Sequence, residues 1–212
     1  MTIATNTKRP LRKDAVEHRE RLLAAAAQVF NEQGLDASVT EIARVAGVGI
    51  GTLYRRFPTK EALVDALIRA ILSDTIQMAR DAAASPDGTG LEAFLEASSA
   101  YQAAHAGYLG RLWSTDHEMV KTARQLTAKL LVDAKKHARI RHDLTNTDLS
   151  IAMFSLLGVL EATIPVAPDA WQRHLDLLLA GMRPADSDLP HCALSDAHLD
   201  KVLSIHKASV GR

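Results

Sequence analysis

Apolar residues recur at three- and four-residue intervals along nearly the whole chain, and no stretch alternates with a period of two, so the pattern predicts an all-α protein. A first helix over 14–33 places Leu22, Leu23, Ala26, Val29 and Phe30 on one face and is stopped by Gly34. Ser38 with Glu41 three residues later reads as a capping box in which two orphaned amides are satisfied, so a short helix starts at Val39 and turns Val39, Ile42, Ala43 and Ala46 inward. Gly47 supplies the left-handed residue that closes it, and Val48 anchors the turn. A second short helix over 50–57 then buries Leu53 and Phe57 and leaves Ile50, Gly51, Thr52, Tyr54, Arg55 and Arg56 facing outward.

Thr59 caps a long helix over 60–84 that carries Leu63, Leu67, Ile68, Ile71, Leu72, Ile76 and Met78, and the run Ser85-Pro86-Asp87-Gly88 breaks it. Helical stretches follow over 91–106 and 108–113. A longer one over 116–140 turns Met119, Val120, Ala123, Leu126, Leu130 and Leu131 inward. Thr145 and Asp148 form a capping arrangement flanked by Leu144 and Leu149 as a hydrophobic staple, and the helix they start runs to about Thr163. That helix is apolar nearly all round and needs a second covering surface, from within the chain or from a partner. Asp148 and Glu161 bracket only twelve residues, too few to span a bilayer, which takes about 20. Pro165 ends it. Pro168 starts another, with the stripe Trp171, Leu175, Leu178, Leu179 and Met182, closed by Arg183-Pro184; a short helix over 195–207 completes the series.

Two very short helices joined by a glycine turn are the arrangement of a DNA-reading helix-turn-helix, and the outward residues suit a duplex. Arg55 and Arg56 offer forked donors to guanine edges or phosphates, Thr52 a hydroxyl, Ile50 an apolar surface for a thymine methyl, and Gly51 close backbone approach. Tyr54 and Lys60 suit phosphate oxygens. Thr40 lies in the first turn of the preceding helix, where free amides favour an anion. An ordinary helical hairpin with a solvated basic face would show the same two-helix pattern. The chain's 25 basic and 25 acidic residues cancel, yet residues 1–60 hold ten Lys or Arg against six Asp or Glu, a net +4, and 61–212 hold the remaining fifteen against nineteen, a net −4. The basic excess therefore lies in the part that carries the helix-turn-helix, as phosphate binding requires. Residues 1–13, with Lys8, Arg9, Arg12 and Lys13 and no apolar core, read as a disordered basic arm and not as a secretory signal.

The block from Leu22 to Leu63, with Ala25-Ala26-Ala27-Gln28-Val29-Phe30, Gly34-Leu35-Asp36-Ala37-Ser38-Val39, Glu41-Ile42-Ala43, Ala46-Gly47-Val48, Gly51-Thr52-Leu53-Tyr54, Phe57 and Lys60-Glu61-Ala62-Leu63, is similar to the amino-terminal domain of the tetracycline-repressor (TetR) family. The resemblance implies a recognition helix over 50–57, phosphate contacts at Thr40, Tyr54 and Lys60, and a DNA-contacting set completed by Ser38 and Gly49. Gly49 departs from the serine the family commonly has there, so the cap loses a hydroxyl at a cost of a few tenths of a kcal/mol. It further implies a three-helix DNA-binding domain over 14–59, a helical ligand-binding and dimerisation domain over 60–212, and a homodimer whose last two large helices pair with their copies. Met153, Phe154, Leu157, Leu160, Trp171, Leu175, Leu178 and Leu179 are the expected interface.

The same resemblance implies a small-molecule effector, and Phe94, Tyr101, His105, Tyr108, Trp113, His117 and Met119 supply aromatic surface with a few polar tips for its pocket. Each is equally a candidate for plain core packing. His105, His117, His137, His142 and His174 lack tight ligand spacing, so no metal site is expected. No phosphate loop, nucleophile motif or paired carboxylate points to an enzyme or a cofactor. Cys192 is the single cysteine, which fits a reducing cytoplasm. The function expected is a ligand-responsive repressor acting on a near-palindromic double-stranded operator, the alternative being a nucleoid or adaptor protein that binds DNA without small-molecule control.

Overall fold

The computed structural model describes residues 8–84, 86–109 and 117–210, with side chains described over 17–84, 86–109 and 118–205. Among the described residues every regular element is helical: α1 (Lys8–Gln33), α2 (Val39–Val45), α3 (Ile50–Arg56), α4 (Lys60–Ala82), α5 (Gly90–Ala103), α6 (His117–Lys136), α7 (Asn146–Thr163), α8 (Ala170–Met182) and α9 (Asp196–Val210). A 3₁₀ turn covers 106–109. The chain divides into two compact units, Met1–Leu67 and Ile68–Arg212, and the division falls inside α4.

In the first unit α1 packs on α2, and α2 on α3, around a core of Leu22, Ala26, Val29, Phe30, Ile42, Leu53, Phe57 and Leu63, each no more than 5% exposed. Burial of these apolar side chains is the main term holding so small a unit together. α1 starts at Lys8, six residues before the expected Asp14, so 8–13 are helical where an arm was expected. Arg, Leu and Lys are good helix formers, and Pro10 is tolerated because it falls in the first turn, where its missing N–H has no intrahelical partner. The rest of that arm, 1–7, lies outside the described residues.

In the second unit α5 packs on α6 and α7, α6 on α7, and α7 most extensively on α8. The start of α7 follows its sequence signature closely. The Thr145 hydroxyl accepts from the Asp148 amide at 3.2 Å, the Asp148 carboxylate accepts from the Thr145 amide at 2.8 Å, and Leu144 and Leu149 are buried as the staple. α6 stops at Lys136, four residues before the expected Ile140, because Ala138 takes φ 51° and the amides of Ala138 and Arg139 turn back onto the carbonyls of Lys135 and Ala134. Arg141 continues the connection. Nearly buried, it makes a bidentate pair with Asp143 at 2.6 and 2.9 Å and donates to the Ser187 carbonyl at 2.9 Å. The guanidinium, helped by the Leu189 amide, holds the Asp143 carboxyl well below the usual carboxylate range. No helix among the described residues is long and apolar enough to cross a membrane.

Candidate functional site

The α2–turn–α3 segment is built as its sequence demands. Ser38 takes an extended N-cap conformation and its hydroxyl accepts from the Glu41 amide at 3.2 Å. The reciprocal half of the capping box is missing. Both Glu41 carboxylate oxygens accept from Arg44, at 2.7 and 2.8 Å, because a guanidinium one turn on is a stronger partner than a lone backbone amide. Ala46 then caps the carboxyl end, Gly47 sits at φ 67°, the Gly47 amide reaches the Arg44 carbonyl and the Val48 amide the Ala43 carbonyl. This is the paired closure that only a residue at ease in the left-handed region makes without strain. Gly47 is therefore fixed by the turn.

Gly49 is not fixed in that way. Its φ of −69° and ψ of 143° are ordinary N-cap values, and a Cβ built there meets nothing within 4 Å. α3 consequently starts with no side-chain cap, and its first amides remain open to solvent or to an anion. Leu53 and Phe57 anchor the helix, at 1% and 5% exposure, so its opposite face is thrust outward. Ile50 and Tyr54 stand 41% and 46% exposed, large values for apolar and aromatic side chains, and Gly51, Thr52, Arg55 and Arg56 are exposed beside them. Arg55 donates to the Thr52 hydroxyl at 3.1 Å, which holds its guanidinium along the same face. Ser38 and Thr40 are exposed at the amino end of α2 and Gly49 at the amino end of α3. Lys60 is half-buried, its ammonium 5.8 Å from the centre of the Phe30 ring, so the stem is held by the core while the charge stays at the surface. The ten residues expected to meet DNA are thus nine exposed positions and one half-exposed cation, all in one unit. A shallow groove beside them, lined by His18, Leu22, Thr52, Arg55 and Arg56, adds His18 of α1, which no spacing rule in the sequence singles out.

The second unit contains a small, mainly apolar cavity of about 110 Å³ among α4, α5, α6, α7 and α9. Phe94 lines it. Tyr101, His105 and Tyr108 gather elsewhere: ring centroids of Tyr101 and His105 lie 4.3 Å apart and those of His105 and Tyr108 6.1 Å, the His105 Nδ1 is 2.7 Å from the Tyr101 carbonyl, and the Tyr101 hydroxyl donates to Asp74. Burial, reinforced by Asp74, pushes the Tyr101 phenol up, and burial alone does the same to Tyr108. Met119 is half-buried on α6 and does not line the cavity. Trp113 and the His117 side chain lie outside the described residues. The sequence reading passed over Gln102, Arg124 and Leu199, which do line it.

Of the residues expected to pair two chains, Leu157, Leu160 and Leu175 are buried within the chain itself, while Met153 and Phe154 line the cavity. Trp171, Leu178 and Leu179 are half-buried on α8. An open groove between α7, α8 and the segment before α9 shows instead Ile151 and Leu177, at 42% and 58% exposure. Glu161 is exposed. Among the described residues His142, Asp143 and Asp188 bring possible metal ligands within 4.8 Å of one another, but Arg141 and the Leu189 amide already occupy the Asp143 carboxylate.

Residues 22–67 match the family model described as bacterial regulatory proteins, tetR family. Over 93 residues the chain is 40% identical to the HTH-type transcriptional repressor KstR2 of Rhodococcus jostii, a match that covers 42% of this chain and 45% of that protein. The chain spans less than half the length of the curated relatives it matches, 36% and 45% for two of them. Solved structures match it along far more of its length. A TetR transcriptional regulator from Streptomyces coelicolor is 33% identical with a TM-score of 0.60, covering 79% of this chain and 99% of that one. A TetR transcription regulatory protein from Mycobacterium vanbaalenii is 30% identical with the same score, covering 82% and 99%.

Proposed function

Because this chain belongs to the TetR family of bacterial regulators, we propose that it is a sequence-specific DNA-binding repressor that acts as a homodimer on a near-palindromic operator and is controlled by a small molecule. The observation that carries the reading is the face of α3. A short helix that exposes Ile50 and Tyr54 at more than 40% beside two arginines, while its other side is anchored by Leu53 and Phe57, has no use for that face in its own core. Placed in a major groove it offers donors for guanine and phosphate and an apolar contact for thymine. Ser38, Thr40 and the uncapped amides at the start of α3 suit flanking phosphates.

The second copy docks on the α7–α8 face. Ile151, Ser155, Gly158 and Ala162 are exposed at one-turn intervals along α7, and Leu177 and Gly181 are exposed on α8. Small residues there let two helices approach closely, and the two large apolar side chains gain cover. Leu157, Leu160 and Leu175 serve this face from beneath, as its support. An effector in the second unit acts on the reading head along α4, whose backbone runs unbroken through the division at Leu67 and Ile68. A coupling of about 1 to 3 kcal/mol, 5- to 150-fold in affinity, is enough.

Selection of bound fragments from random and genomic DNA tests the reading. The expected result is enrichment of a pseudo-palindrome with half-sites one helical turn, or a multiple of it, apart. Equal affinity for every fragment, with no loss of preference on replacing Arg55 or Arg56, refutes it.

A further inference from the structure

Two residues that line the cavity among α4, α5, α6, α7 and α9 each hold a buried polar atom that the protein itself leaves unanswered. Gln102 is 5% exposed and its Oε1 is buried with no hydrogen-bond partner; the Nε of Arg124 is likewise buried and unpartnered. Both residues line the cavity, where the Thr127, Ser150 and Asn146 side chains have partners within the fold. The Thr127 hydroxyl donates to the Ala123 carbonyl at 2.8 Å, the Ser150 hydroxyl to the Asn146 carbonyl at 3.0 Å, and the Asn146 amide to the Arg124 carbonyl at 3.3 Å. A buried acceptor and a buried donor without partners are uncommon, because each forfeits its hydration with no return.

The outer end of Arg124 is engaged differently. Its two terminal nitrogens donate to Asp196 at 2.8 Å and to Asp200 at 3.1 Å, one turn apart on α9, which also brings Leu199 and Leu203 against the cavity. One cation therefore faces two carboxylates, a local charge of −1. A further anion is disfavoured there, and among the described residues no carboxylate lines the cavity to hold a cation. The cavity's volume of about 110 Å³ is of the order of the dry apolar cavity of about 150 Å³ that accepts benzene in another protein.

We propose that this cavity binds a small, uncharged, mainly apolar alcohol or phenol, whose hydroxyl donates to Gln102 Oε1 and accepts from Arg124 Nε–H. The inference rests on the reading of the second unit as an effector domain and gives that effector a chemical class. A hydroxyl is the smallest group that can satisfy an orphaned acceptor and an orphaned donor together. A hydrocarbon leaves both unmet, and a carboxylate offers no proton to Gln102 while adding charge beside Asp196 and Asp200.

The test is binding of phenol, toluene and benzoate to the full chain, measured by calorimetry and ligand-observed NMR in the absence of DNA. Phenol is expected to bind saturably and at least about fivefold more tightly than toluene, with benzoate weakest. Replacing Gln102→Leu, in protein whose melting curve stays cooperative, should reduce the advantage of phenol over toluene to about twofold or less. Equal binding of phenol and toluene by the parent protein, preference for benzoate, or no saturable phenol binding overturns the proposal. The ranking in the parent protein needs no variant, so the test survives a Gln102→Leu chain that does not fold. Lost phenol binding in a protein that still selects DNA refutes the ligand class alone, whereas phenol binding in a protein indifferent to DNA refutes the regulator reading alone.

Discussion

At the residue scale, two glycines two positions apart have opposite meanings. Gly47 lies in the left-handed region and closes α2, whereas Gly49 has cap geometry that serine adopts freely, with open space for its side chain. Gly49→Ser should therefore stabilise the protein by about 0.5 kcal/mol, through a capped α3 and a less flexible unfolded chain, read as a higher melting temperature. Arg55 and Lys60 also separate. Arg55→Ala should cost about 1 to 3 kcal/mol on the preferred site and relax preference there, in anisotropy titrations against operator and scrambled duplex. Lys60→Ala should weaken both duplexes alike and lower the salt slope by about 1. It should also cost about 0.5 to 1 kcal/mol of stability, because its ammonium lies over Phe30.

At the scale of the element, local signals decided most of what could be read in advance. The starts of α2, α4 and α7 are written in Ser38, Thr59 and Thr145, each of which accepts a hydrogen bond from an amide three residues on. Signals of that kind act within one turn and survive whatever the rest of the chain does. Helix ends without glycine or proline were less legible. Nothing in Lys135-Lys136-His137-Ala138-Arg139-Ile140 marks a stop, yet α6 closes with Ala138 at φ 51°, a conformation that costs an alanine on the order of 1 kcal/mol. Ala138→Gly should accordingly stabilise the second unit by up to about 1 kcal/mol in denaturant unfolding, and a destabilised variant would show that the turn is not strained. The beginning of α1 was missed for a related reason: a basic stretch without an apolar stripe carries no periodic signal, although its residues are good helix formers and Pro10 is tolerated in the first turn.

At the scale of the whole molecule, legibility fell with sequence separation. The reading head needs contacts only within about 40 residues, and its exposed face and buried anchors follow from periodicity. The cavity joins Gln102 of α5 to Arg124 of α6, and Arg124 to Asp196 and Asp200 of α9, 72 and 76 residues further along. No spacing rule reaches that far. Aromatic residues near the middle of the chain were an attractive guide to a pocket, but Tyr101, His105 and Tyr108 gather ring against ring, with the Tyr101 hydroxyl on Asp74, away from this cavity's lining. Likewise the all-round apolar character of α7 said that two surfaces must cover it, without saying which residues α8 would take. Leu157, Leu160 and Leu175 went to the fold, leaving Ile151 and Leu177 outside.

Sedimentation of the full chain with a selected duplex tests the central claim most directly, since it reads assembly and DNA binding in one experiment. The account predicts a two-chain species without DNA at micromolar concentration and two chains on each near-palindromic duplex, with a charged or polar residue in place of Ile151 or Leu177 weakening both. A single chain that stays single in solution and leaves the duplex unbound would contradict it.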